Sequence, residues 1–358
     1  MNRAMTFDWT NQRTVEAQLL DRIHFEFQQM YGTAPRPLIA LRLQEELHAM
    51  ECSETVCDVA ALYEFTQWMK SEGYSFRMGG AAGASLILFV LGITRCNPLP
   101  PHDRCPICKQ VWLLKMTRDS ADAVPDGICV DDWEQCTPDG HNIPWQSLWG
   151  YSNFSKAYII HLPVSVYQEV SNFLMNCLNT FCAKPMQHKE RNSLCIDLNH
   201  ICLRFDLDEA KKPVVGKTQT EQFLSYWQTR VDPEIASQFP EPKTASDVLA
   251  LLGLMRSEGA WDEDARTQTE DGSLSISDLI AFREDVFFYL QQHGFLDKDA
   301  WRCMEHVRKG LGLPMITDEM KCAEDSWKLE RISRISFLSG KADIVDQLLY
   351  EIRETGQQ

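Results

Sequence analysis

The chain has 358 residues, a formal net charge of −16 and 13 cysteines. That length supports two or three domains with a sizeable core, and the odd cysteine count in so long a chain excludes a disulfide-stapled mini-protein. The charge excludes a broadly basic surface that coats nucleic acid, and leaves room only for a local basic cleft.

Met1–Gln12 has no apolar core and no cleavage-like site, so no signal peptide is expected and the chain reads as cytoplasmic. Residues 14–27, 37–50 and 55–72 carry apolar side chains at helical spacing, with Gly73 as a helix stop. The apolar run Gly79–Ile93 is too short to span a bilayer and begins with glycines at 79, 80 and 83, which suit a tight turn into a buried helix. Residues 95–150 are rich in Pro, Cys, Asp and Trp and lack periodicity, so something other than a core must pin them. Residues 157–205 contain β-branched and aromatic runs that read as strands, with a helix near 167–181. Residues 208–242 are polar, with prolines at 213, 233, 240 and 242, and read as a linker. The remainder is helical: Thr244 with Asp247 and Ser275 with Asp278 open helices as capping boxes, and Gly294 and Gly310 close them. These patterns predict an α+β, helix-rich chain.

Four constellations bear on chemistry. Cys105-Pro-Ile-Cys108 is a knuckle that sets two thiolates on one side of a turn, where a tetrahedral zinc takes both. Cys129 is the third ligand; Cys136 stands too far along for a second knuckle, while Asp132 stands where that knuckle's last ligand belongs. One structural zinc on Cys105, Cys108 and Cys129, completed by Cys136 or Asp132, would fold a coreless segment; decayed free thiols are the alternative. The turn Met78–Ser85 resembles a phosphate cradle but holds no Lys or Arg, and close helix packing explains it equally. Arg308-Lys309 and Lys341 are cations able to meet phosphates, or ordinary cations at helix ends. Asp206 and Asp208 form an Asp-x-Asp that also reads as a polar strand end.

Together the residues resemble the alpha subunit of PolC-type DNA polymerase III, a C-family replicative polymerase. The likeness runs through Tyr31-Gly32, Arg42-Leu43, Glu46-Leu47, the 80–94 loop and helix, Asn97-Pro-Leu-Pro-Pro-His102 with Cys105 and Cys108, Asp139-Gly-His-x-Ile-Pro144, and Gly150. It resumes at Arg283-Glu-Asp-Val286, Met304-Glu-x-Val-Arg-Lys-Gly310, Trp327, Phe337 and Lys341-Ala342. The resemblance implies the remnant of a nucleotidyltransferase-type palm with a zinc-binding insertion, followed by a helical fingers-like lobe. The implied parts are 1–98 and 151–207 for the palm, 99–150 for the zinc segment, 208–242 for the linker and 243–358 for the fingers. Arg308, Lys309 and Lys341 become the phosphate-binding set.

The departures from the family fall on its chemistry. Counted in register back from Tyr167-Gln168, the catalytic Asp-Ile-Asp becomes Tyr158-Ile159-Ile160. The family's loop arginine and serines read Met78, Gly79 and Ala81; the second lysine of its Arg-Lys-Gly-Lys is Leu311, and the histidine after Lys-Ala is Asp343. Leu203-Arg-Phe-Asp206-Leu resembles the context of the third aspartate, so Asp206 is the remnant. Tyr and Ile do not hold Mg²⁺. The departures imply a pseudo-polymerase with a structural zinc and no catalytic magnesium, whose partners are DNA or a replisome protein. A reduced nucleotidyltransferase using Asp206 and Asp208, and a protein-interaction module without nucleic acid, are the rival readings.

Overall fold

The computed structural model describes residues 6–114, 128–129, 131–150, 158–181, 186–190, 193–198, 200–207, 214, 216 and 218–353. Helix α1 (Gln12–Tyr31) is capped by Asn11, whose side chain accepts from the Arg13 amide. Its buried residues Val15, Leu19, Ile23, Phe27 and Tyr31 recur every four positions and form one stripe. Helix α2 (Pro37–Cys52) opens on a proline whose missing N–H costs nothing in a first turn. Helix α3 (Val56–Ser71) is buried along most of its length, as its apolar sequence requires. Strand β1 (Arg77–Gly79) then leads through a tight glycine turn into the short helix α4 (Leu86–Val90).

The described residues of the 95–150 stretch are pinned in two ways. Strands β2 (His102–Arg104), β3 (Val111–Leu113) and β4 (Thr137–Asp139) form a small antiparallel sheet in the order β3-β2-β4. Its side carries a separate buried cluster of Cys105, Cys129 and Cys136, against which Cys108 and Trp112 pack.

Strand β5 (Tyr158–Pro163) runs parallel to β8 (Ile201–Leu207), and the crossover contains helix α5 (Tyr167–Phe181) and the hairpin β6 (Met186–Glu190) and β7 (Ser193–Leu198). The sheet order is β1-β5-β8-β7-β6. Alternation sorts its faces. Met78, Tyr158, Ile160, Leu162, Leu203 and Phe205 are buried on the core face. Arg77, His161 and Arg204 stand in register across β1, β5 and β8 on the opposite face.

The chain then becomes helical: α6 (Gln219–Arg230), α7 (Pro233–Ala236), α8 (Ala245–Met255), α9 (Glu263–Glu270), α10 (Arg283–Gln292), α11 (Asp297–Arg308), α12 (Asp318–Cys322), α13 (Trp327–Arg334) and α14 (Lys341–Arg353). Among the described residues every strand lies before residue 208, and the fold is mixed α+β and helix-rich. One expectation is corrected. Within the stretch read as a linker, α6 buries Phe223, Tyr226 and Trp227. The prolines that suggested a loop stand on either side of this helix, where they do not interrupt it.

Candidate functional site

The glycine turn lies between two protein carboxylates. Glu46 of α2 is fully buried, with Arg42 Nε at 2.5 Å. Its oxygens accept from Ser85 Oγ at 2.8 Å and from the backbone N–H of Leu86 and Ile87 at 3.0 and 3.2 Å. It therefore occupies the amino end of α4, where a ligand phosphate could otherwise sit. On the other side Asp343, in the first turn of α14, accepts from the Gly80 N–H at 3.1 Å and from Arg77 Nη1 at 2.9 Å. Its second oxygen meets Arg256 Nη1 at 3.2 Å. Burial pushes the Asp343 carboxyl up, but Arg77, Arg256 and the nearby His161 outweigh it and hold it below the usual range.

Beside Asp343, His161 Nδ1 lies 2.7 Å from Asp206 Oδ1. Burial opposes ionisation of Asp206, yet this hydrogen bond, with Arg77 and Arg204 near, lowers its pKa. Asp206 is the extra residue of a bulge: Leu162 pairs with Phe205 and Pro163 with Leu207. The imidazole also explains Gly79, since a Cβ there would lie 2.5 Å from His161 Nε2.

Tyr158 and Ile160, at the positions carried over from the family's aspartates, are 3% and 0% exposed and point into the core. The face bearing Asp206 is served by Ile159 and His161. A one-residue slip exchanges the two faces, and in either register the sequence YIIHLP offers no carboxylate. A gapless count fixes residues but not the face they occupy. Asp208 lies outside the described residues.

The cations named from the sequence do not converge. Arg308 lines a cleft of about 450 Å³ with Gly80, Arg256, Arg283 and Asp343, and is paired to Glu305 at 3.0 Å. Lys341 lines a different cleft, of about 540 Å³, and its Nζ donates to the His141 carbonyl at 2.5 Å. Lys309 is exposed at the carboxyl end of α11. Arg77, Arg256, His161 and the bridging role of Asp343 were missed in the sequence; the arginines lie in no motif, although strand alternation pairs Arg77 with His161.

The second centre is the cysteine cluster. Atoms of Cys105, Cys108, Cys129 and Asp132 lie within 4.8 Å of one another. Cys108 Sγ and Cys129 Sγ are 3.6 Å apart, and Asp132 Oδ2 is 3.4 Å from Cys105 Sγ and 3.6 Å from Cys129 Sγ. A tetrahedral zinc, bonded at about 2.3 Å to sulfur and about 2.0–2.2 Å to oxygen, sets such atoms about 3.8 Å (S···S) and about 3.5 Å (S···O) apart. The donor set fits. Two similar turns supply it: the Cys105 amide donates to Gln110 O at 3.0 Å and the Cys129 amide to Glu134 O at 2.9 Å. Cys136 lies outside this set of four and is buried against it. Among the described residues this is the one such gathering of three or more Cys, His, Asp or Glu side chains.

No family model matches the chain. Curated relatives do match. It is 24% identical to the PolC-type DNA polymerase III of Thermotoga petrophila, over 88% of this chain and 32% of that protein. Against the Ureaplasma parvum protein of the same description the figures are 21%, 92% and 31%; against that of Lacticaseibacillus paracasei, 22%, 95% and 32%. The chain is a PolC homologue. It spans about a third of the length of the curated relatives it matches. The alignments run to 439–464 positions, longer than the chain itself, so the relatives carry segments inside the matched region that it lacks.

The PolC-like motifs explain one another structurally. The stretch 97–102 pairs with 139–144: His141 N donates to Asn97 O, Ile143 N to Pro98 O and Asn142 N to Leu99 O, at 2.8–2.9 Å. Gly140 adopts φ +99°, and a Cβ there would sit 2.5 Å from Pro100 O, so no other residue fits without displacing that backbone. Asn97 Nδ2 donates to Tyr31 Oη at 2.9 Å, which joins the Tyr31-Gly32 motif to the 97–102 stretch. Among the described residues no helix is long and apolar enough to cross a membrane.

Proposed function

We propose that this PolC-like chain is a non-catalytic binding protein that engages primed DNA or a replication partner. In this reading 1–98 and 151–207 are a palm remnant, 99–150 a zinc-pinned insertion, and the helices after 243 a fingers-like lobe. The observation that carries it is the sequence of β5: YIIHLP has no carboxylate on either face of the strand. Two-metal phosphoryl transfer requires carboxylates that hold both ions at the attacking and leaving oxygens. Asp206 is bonded to His161, and the glycine turn is occupied by Glu46 and Asp343; all three features suit a frame kept for binding.

Zinc is the metal that the Cys105, Cys108, Cys129 and Asp132 donors favour, because thiolates select it over magnesium or calcium. Its role here is structural, closing two turns that have little core of their own. For nucleic acid, Lys309 is the exposed member of the three cations, while Arg308 and Lys341 are held in internal contacts with Glu305 and the His141 carbonyl. With a chain charge of −16, DNA binding is weak and falls steeply with salt. Fluorescence anisotropy with a labelled primer–template tests this. Binding at low salt should decline linearly in log–log coordinates, and Lys309→Ala should reduce the slope by about one. A salt-independent signal, or one unchanged in Lys309→Ala, would remove DNA as the ligand and leave a protein partner.

A further inference from the structure

The contacts around Asp343 have the form of a bound anion. One oxygen takes a backbone N–H from Gly80, a glycine at φ +65°, together with a guanidinium N–H from Arg77; the other takes one from Arg256. Backbone amides at a left-handed glycine flanked by arginines are what a phosphate oxygen uses. The carboxylate reaches them from the first turn of α14, where a helix favours negative charge. Asp343 is also placed to move. Its side chain is 33% exposed and lines the cleft of about 450 Å³ that holds Arg283 and Arg308 as well. Those two arginines share Glu305, with contacts of 3.0 Å each. Each arginine lining this cleft, Arg256, Arg283 and Arg308, is thus matched by a carboxylate of the protein, and Asp343 pairs with Arg77 as well as with Arg256.

We propose that Asp343 is an internal plug: its carboxylate fills an anion site built from the Gly80 amide, Arg77 and Arg256, and keeps the adjoining cleft closed to phosphate-bearing ligands. The ligand class excluded is a di- or triphosphate, since the cleft continues past the plug to Arg283 and Arg308 and has the volume for more than one phosphate group. Removing the carboxylate leaves two guanidinium groups and one N–H without their anion, and creates a cationic pocket in a chain whose total charge is strongly negative.

Calorimetric titration of the full chain with inorganic pyrophosphate at low ionic strength tests the plug directly. Asp343→Asn keeps the side-chain shape and removes the charge; Asp343→Ala removes both. Two charge-assisted hydrogen bonds released to a ligand correspond to binding at least about tenfold tighter than wild type. The gain should disappear in the double variant Asp343→Ala with Arg256→Ala, and near-UV circular dichroism should report a native fold in Asp343→Asn. Wild-type chain that binds pyrophosphate as tightly as a folded Asp343→Asn variant would overturn the proposal. So would a gain that survives loss of Arg256. Pyrophosphate reports on the plug alone, whereas primer extension and DNA binding report on the proposed function, so failure of one leaves the other standing.

Discussion

Glu46 illustrates why a buried acid need not be catalytic. All its hydrogen-bonding capacity is spent inside the fold, on Arg42, Ser85 and the amino end of α4, with the Trp149 indole also near at 3.4 Å. Breaking a buried, hydrogen-bonded ion pair leaves Arg42 without its partner, so Glu46→Gln should cost about 3–5 kcal/mol of unfolding free energy. Urea denaturation measures it; a loss under about 1 kcal/mol, the worth of an exposed pair, would contradict the structural role. Glu46-Leu47 was legible as a family feature, but its function was not, because its partners lie some 40 and 100 residues away. Asp343 was legible as a departure from the family's histidine, yet nothing local to Lys341-Ala342 reveals Gly80 at a separation of 263 residues. Gly79 is the converse case. The glycines of 79–83 read as turn-formers, and it took the strand register to show that one of them makes room for the His161 ring.

At the scale of elements, the sequence read the first three helices and α5 closely: α1 repeats a single buried stripe, and α3 is apolar along most of its length. It failed at 219–230, where flanking prolines and polar composition hid the buried Phe223, Tyr226 and Trp227. Strands β5 to β8 were found by composition, whereas β1 to β4, three residues each, are too short to leave a pattern; the pairing of β5 with β8 across an intervening helix and hairpin is a tertiary fact that a linear pattern does not encode. The two cysteine turns fall between these cases. Cys105-x-x-Cys108 was plain; the choice between Asp132 and Cys136 needed geometry, which gathers Asp132 with the three thiols and leaves Cys136 in the packing around them. Elemental analysis of the purified chain should give about one zinc per molecule. Chelation should lower its melting temperature by about 5 °C or more, because the ion closes a segment with little core. Cys108→Ser should lose the metal. A metal-free preparation that melts where the untreated one does would sink the zinc assignment.

For the molecule as a whole, the proposed reading separates frame from chemistry. The residues that pair one PolC-like motif with another, such as Asn97 with Tyr31 and Gly140 against Pro100, are present and in contact. The positions where the family's chemistry was expected carry Tyr158, Ile160, Ala81 and Leu311. The departures from the family are visible in the sequence, and the structure adds where these residues point: the replacements Tyr158 and Ile160 into the core and Asp343 onto the glycine turn, and the remnant Asp206 onto His161. Primer extension with a labelled primer–template, all four deoxynucleotides and either Mg²⁺ or Mn²⁺ tests the proposed loss of catalysis most directly. No extension is expected with either ion, even at high enzyme concentration, since metal-assisted charge neutralisation supplies most of the rate in phosphoryl transfer. Extension by the wild-type chain that disappears in Asp206→Ala would contradict the account and make this a reduced polymerase.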